Sequence, residues 1–125
     1  MRVARTMSSG TRGSAAERRA TDLLCYVRTF ERRHLDFLET LLDRDLVCAI
    51  AERESTRTPL TMKQLVLLDM GSLPTVQRRL RRLRRLGAVR QTRNRADRRV
   101  VELRLTPRTL DALAHLDHFV PASVG

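Results

Sequence analysis

Between Arg78 and Arg85, six of eight residues are arginine and none is acidic. A guanidinium presents a planar fork of donors that matches phosphate oxygens, or the O6/N7 edge of guanine, two bonds at a time. A second group, Arg93, Arg95, Arg98 and Arg99, follows within the next fourteen residues. This is chemistry of holding an anion, not of breaking bonds. The chain has no Gly-rich phosphate loop, no nucleophile motif and no acid/base pair, so neither an enzyme nor a cofactor is expected. His115 and His118 stand three apart without a neighbouring Cys or second carboxylate, which reads as surface histidine and no metal. Cys25 and Cys48 are too widely spaced for a CxxC site and fall near apolar stripes, where a free cysteine is usually a small core residue.

The charge is unevenly placed along the 125 residues. Residues 1–60 carry a net charge of +2 and residues 61–125 a net charge of +9, out of a total of +11. A concentrated positive surface attracts polyanions, and nucleic acid is the commonest of them in a cell. Only four aromatics occur, Tyr26, Phe30, Phe37 and Phe119, too few to stack the bases of a single strand. No apolar run approaches a membrane span, and no secretory signal follows the basic start. A soluble, cytoplasmic, nucleoid-associated protein that binds double-stranded DNA is the expectation.

The arginines need elements to position them. Residues 1–13 show no apolar period and read as a disordered basic arm. Residues 14–57 contain neither Gly nor Pro and form an N-terminal helical segment, opened by a capping box of Ser14 and Glu17. It carries two wide stripes, Ala16 to Phe30 and Leu35 to Ile50, with a break between Arg33 and Asp45. Stripes so rich in leucine exceed what one small core needs, so residues 14–54 are expected to form a homodimer. Ser55 to Pro59 is a turn. Thr61 caps a short helix, Met62 to Leu68; Gly71 ends it by supplying a left-handed conformation, and Ser72 caps the next helix, with Pro74 in its first turn. Gly87 stops that helix. Strands are expected over 88–92 and 99–106, with a polar tip between them. Pro107 opens a last short helix to about Phe119, carrying Leu110, Leu113, Leu116 and Phe119.

At about 100° per residue, Val76, Leu80 and Leu83 share one side of the helix 74–86, and Arg78, Arg81, Arg82 and Arg85 the other. A helix of this width enters a major groove. Thr75, Gln77 and Arg78, near its start, would reach base edges, and Arg82, Arg84 and Arg85 would grip backbone. The helix holds no acid of its own, so its charge is expected to stay uncompensated until a polyanion arrives. The arginines of the tip suit an adjacent minor groove.

The segments Leu60-Thr61-Met62-Lys63-Gln64-Leu65, Ser72-Leu73-Pro74-Thr75-Val76, Leu86-Gly87-Ala88-Val89, Asp97-Arg98-Arg99 and Leu103-Arg104-Leu105-Thr106, in that order, resemble the MarR-type winged-helix transcription regulators. The resemblance spans about residues 58–112. It implies a mainly α fold with a small β-hairpin: a winged helix-turn-helix DNA-binding domain at 58–112, followed by a short C-terminal helix end and tail at 113–125. It also implies that Asp97 braces the wing and that Arg99 is the wing's minor-groove contact. Only 19 residues follow Thr106, where the family continues into a long helix, so dimerisation would rest mostly on residues 14–54. Two rival functions use the same basic surface: an architectural nucleic-acid binder of low sequence specificity, and a winged-helix module that docks an acidic protein.

Overall fold

The computed structural model describes residues 14–118, with side chains for 14–116. The expected arm at 1–13, Phe119 and the tail to 125 lie outside the described residues. Five helices each begin on a Ser or Thr whose hydroxyl accepts a backbone N–H three residues on: α1 (Ala15–His34) on Ser14, α2 (Leu41–Glu54) on Thr40, α3 (Met62–Leu67) on Thr61, α4 (Leu73–Arg85) on Ser72 and α5 (Pro107–Ala114) on Thr106. Glu17, Asp43 and Gln64 complete capping boxes at the first three. Each such cap is worth about 1 kcal/mol. The break expected in the N-terminal segment falls at Leu35–Thr40.

Two strands, β2 (Val89–Arg93) and β3 (Val101–Leu105), form the hairpin, each within two residues of the expected bounds. A third, β1 (Leu60–Thr61), was not foreseen: it pairs Leu60 with Leu103 and Thr61 with Glu102, giving an antiparallel sheet of order β1-β3-β2. Two residues are too short for an alternating pattern to show. The mainly α architecture with a small sheet is as expected.

Leu46 and Ile50 of α2, Leu65 of α3, Val76, Leu80 and Leu83 of α4, and Val89, Leu103 and Leu105 of the sheet make one core. Glu54 fastens α2 to the sheet by accepting the Leu105 N–H at 3.0 Å. The C-terminus of α4 closes on Gly87 (φ 78°), as expected: the Gly87 N–H donates to the Arg84 carbonyl and the Ala88 N–H to the Leu83 carbonyl, a Schellman pair.

Several expectations are corrected. The left-handed residue after α3 is Asp69 (φ 53°), whose N–H reaches the Val66 carbonyl; Gly71 (φ 151°) lies two residues further along. A short polar side chain tolerates that conformation. The last helix gives way at His115–His118 to a 3₁₀ turn. On α5, Leu110 is exposed and Thr109 is buried, its hydroxyl donating to the Ala88 carbonyl at 2.8 Å. Both cysteines are exposed rather than in the core. Desolvation of its sulfur, helped by the nearby Asp45 charge, pushes the Cys48 thiol up, away from a reactive thiolate.

The helix α1 divides in two. Its end is anchored: Phe30 is buried, His34 lies 5.0 Å from Phe30 between ring centroids, and His115 stacks on His34 at 4.9 Å. Glu31, also buried, takes Arg44 of α2 at 2.6 Å. Ahead of Phe30 no residue of α1 is buried, and Leu24 is 66% exposed. That stretch of the apolar stripe is not buried by any other described residue. No described helix is long and apolar enough to cross a membrane.

Candidate nucleic-acid interface

The helix α4 is oriented by its aliphatic side. Val76, Leu80 and Leu83 are buried, which leaves Gln77, Arg78, Arg81, Arg84 and Arg85 exposed and Thr75 half-buried. Thr75 accepts the Ser72 hydroxyl at 2.9 Å and thus belongs partly to the cap. Arg78, Arg81, Arg84 and Arg85 have no ion-pair partner among the described residues. The expected arginine face exists, but it is narrower than the sequence suggested.

Arg79 and Arg82 are the reason. Both side chains are 18% exposed and turn towards α2 and the loop before it. Asp43, 0% exposed, receives Arg79 through Nε at 2.8 Å and Nη2 at 2.6 Å, and Arg82 through Nη1 at 3.3 Å. Glu39 pairs with Arg79 at 3.1 Å and with Arg82 at 3.0 Å. Arg82 also donates to the Phe37 carbonyl at 2.8 Å. Burial alone would raise the Asp43 carboxyl. The bonds from Arg79 and from the Glu39 and Thr40 N–H groups, with the Arg79 charge, outweigh it and hold the group below the ordinary carboxylate range. The same contacts hold Arg79 above the ordinary guanidinium range.

Two positive and two negative charges therefore form a closed cluster between α2 and α4. The expectation that all six arginines stay uncompensated is corrected: the chain's own carboxylates neutralise two of them. Arg82, expected to grip backbone, is held inside the protein. Helix α4 has no internal acid, as read, but its partners lie about forty residues earlier in the chain and nothing local announces them.

The tip between β2 and β3 carries the other arginines. Asn94 organises it: its Oδ1 accepts the N–H of Ala96 at 2.8 Å and of Asp97 at 2.9 Å, and its Nδ2 donates to Glu102 at 2.8 Å. Asp97 takes Arg99 in a fork, Nε at 3.1 Å and Nη2 at 3.2 Å, and also accepts the Arg99 N–H at 3.1 Å. Those bonds lower the Asp97 carboxyl. Arg93 donates to the Arg98 carbonyl at 2.9 Å, bracing the other side of the turn. Arg95 and Arg98 are exposed, and Arg99 remains 91% exposed despite its fork. The tip is thus a short, internally bonded loop that presents arginines outward. Asn94 and Glu102 were not singled out from the sequence; an Asn within the six-residue polar tip 93–98 favours an Asx turn and was an available sign.

Among the described residues no group of three or more His, Cys, Asp or Glu could hold a metal ion. On the β2 side of α4 lies a groove of about 540 Å³ bounded by Arg81, Arg84, Arg85, Val89, Arg90 and Gln91.

No protein-family model and no curated protein sequence matches the chain. Solved structures do. AbsC, a MarR family transcriptional regulator from Streptomyces coelicolor, superposes with a TM-score of 0.54 at 20% identity, over 93% of this chain and 78% of AbsC. A MepR variant from a clinical isolate of S. aureus gives 0.57 at 13% identity, over 86% and 76%. A mutant MarR from E. coli, crystallised with operator DNA, gives 0.54 at 19% identity, over 84% and 72%. At these identities the likeness is one of fold: the chain has the winged-helix fold of MarR-type regulators.

Proposed function

We propose that this chain is a transcription regulator that binds double-stranded DNA as a homodimer, with α4 in the major groove and the 93–99 tip as a wing in the flanking minor groove. The observation that carries the reading is the state of the α4 arginines. The fold neutralises Arg79 and Arg82 yet leaves Arg78, Arg81, Arg84 and Arg85 exposed and without an ion-pair partner among the described residues. Four unpaired arginines within eight residues repel one another, a cost that a polyanion would offset. In this reading Thr75, Gln77 and Arg78, at the start of α4, face base edges; Arg81 and Arg85 face phosphates; and Arg93, Arg95, Arg98 and Arg99 enter or flank the minor groove. Asp97 braces Arg99. Arg82 supports the helix from behind.

The exposed part of α1 supports the dimer. Leu23, Leu24 and Val27 form an apolar stripe that no other described residue buries, and Leu41, 71% exposed, adds to the apolar surface of 14–54. Two such units would read an inverted repeat with half-sites one or two helical turns apart. The resemblance in fold to a protein crystallised on operator DNA agrees with this reading. The reading places the protein in a bacterial cytoplasm, bound to the nucleoid, and assigns it no catalytic step, cofactor or effector.

Selection of bound fragments from a random duplex pool tests the proposal. Recovery of an inverted repeat is the expected result, and Arg78→Ala should relax the choice of base at one position per half-site, by about 1–3 kcal/mol. Equal retention of every sequence would instead support an architectural binder. Absence of salt-sensitive duplex binding would overturn the proposal and turn attention to a protein partner, for which the exposed Val66, Leu67, Leu68 and Leu73 around the α3–α4 turn offer an apolar surface.

A further inference from the structure

The groove on the β2 side of α4 continues into a second, of about 230 Å³, that shares Arg81, Arg84 and Gln91 with it and runs on to Gln77. Together they make a trough along one flank of α4. From Gln77 to Arg85 the helix rises about 12 Å, long enough to run beside more than one phosphate of a single strand. Arg81, Arg84 and Arg85 line it from the helix and Arg90 from β2; no acid lines either part. None of the four has a hydrogen-bonding or ion-pairing side-chain partner among the described residues, and all four are exposed. The opposite flank of the same helix is the closed cluster of Arg79 and Arg82 with Asp43 and Glu39.

We infer that the α4–β2 trough is a binding site for the phosphodiester backbone of one DNA strand, with Arg84 and Arg90 as its dedicated contacts. The inference rests on the proposed function and sharpens it. A helix in a major groove has a backbone wall on each side, and here only one flank offers free positive charge. The protein therefore grips the two walls unequally, leaning towards the strand that lies in the trough. Arg90 is the distinctive element, since it comes from a strand rather than from the recognition helix and closes the trough from the far side. The arginines of the trough read no bases; their contribution is affinity and register, shared by all sequences.

The test compares the unchanged full chain with R84A/R90A and R84K/R90K on a random-sequence duplex, measuring affinity as salt is raised. Neither side chain makes a bond among the described residues, so thermal unfolding should be unchanged in both variants. The alanine pair should flatten the log–log salt slope by nearly two units, so that the advantage of the unchanged protein shrinks about tenfold between about 50 and about 200 mM salt. The lysine pair, which keeps both charges, should restore the slope. A slope in R84A/R90A equal to that of the unchanged protein overturns the trough as a phosphate site. If the unchanged protein itself shows no salt-sensitive duplex binding, the proposed function has failed, and the trough inference with it; the two failures are told apart by the unchanged protein alone.

Discussion

The two flanks of α4 carry the same residue type and do opposite things. On the side facing α2, Arg79 and Arg82 are spent within the molecule, bonded to Asp43, Glu39 and the Phe37 carbonyl. On the side facing β2, Arg81 and Arg84 stand free beside Arg90. Helix position alone does not separate them, since arginines occur all round the polar arc. The neighbouring element decides: α2 and its preceding loop bring carboxylates, and β2 brings another arginine. One flank fixes where α4 sits relative to α2 and the loop before it, and the other keeps its positive charge free, which is the side the proposal gives to DNA. Counting arginines on a helix therefore overstates its free charge.

The largest expected effect comes from opening the closed flank at its centre. Asp43→Asn leaves Arg79 and Arg82 sharing the single carboxylate of Glu39 and removes the strong acceptor from the Glu39 and Thr40 N–H groups. Breaking one partner of such a pair costs about 3–5 kcal/mol when fully buried, and the partial exposure of both arginines places this case at the lower end, at about 3 kcal/mol. Denaturant unfolding checks it. The pH dependence follows from the lowered Asp43 carboxyl. A group whose folded value lies below its unfolded one contributes stability above the unfolded value, near pH 4, and loses it as pH falls through the folded value. The unchanged protein should thus weaken below about pH 4 more steeply than the Asn variant.

A smaller effect is expected at the rim of the same cluster. Glu39 is 57% exposed, and Glu39→Gln should cost well under about 1 kcal/mol of stability. It converts a neutral set of four charges into one of net +1 beside the proposed groove face. Affinity for random duplex should rise a few-fold, and the salt slope should steepen by up to about one unit. Specificity would fall, because the added attraction is blind to sequence. An unchanged slope would mean that the cluster lies too far from the duplex to matter, and would break the comparison between flanks.

Most of the frame was legible in the sequence. The caps at Ser14, Thr61 and Ser72, the stop at Gly87 and the hairpin follow from local chemistry, and local chemistry is printed in order along the chain. The aliphatic side of α4 was legible for the same reason, since Val76, Leu80 and Leu83 repeat at the helical period. What escaped is long-range. Strand β1 exists only because Leu60 and Thr61 meet β3 across some forty residues. The pairing of Asp43 with Arg79 spans 36 residues, and Asp43 reads locally as nothing more than the third residue of a capping box. It is both: the same carboxylate caps α2 and receives α4. Arg90 was passed over because a single arginine on a strand has no pattern; it gains meaning only when Arg84 is found across the groove. The burial of Thr109 was equally hidden, because its hydroxyl is satisfied by an acceptor 2.8 Å away on Ala88, 21 residues earlier.

The smallest expected effect is also the sharpest test of the comparison. If Arg82 gripped a phosphate, as its place on the polar arc suggested, losing it would remove one contact however Glu39 were treated. If instead Arg82 and Glu39 cancel each other, removing both leaves the local charge as it was. The double variant Glu39→Gln/Arg82→Gln should therefore bind random duplex with the affinity and salt slope of the unchanged protein, undoing the gain of Glu39→Gln alone. A loss of about one unit of slope would return Arg82 to the DNA contacts. Stability serves as the internal control. The Phe37 carbonyl loses the donor now 2.8 Å away, and the Asp43 carboxylate keeps Arg79. A cost of about 1 kcal/mol in unfolding with no change in binding is the signature of an arginine that belongs to the scaffold.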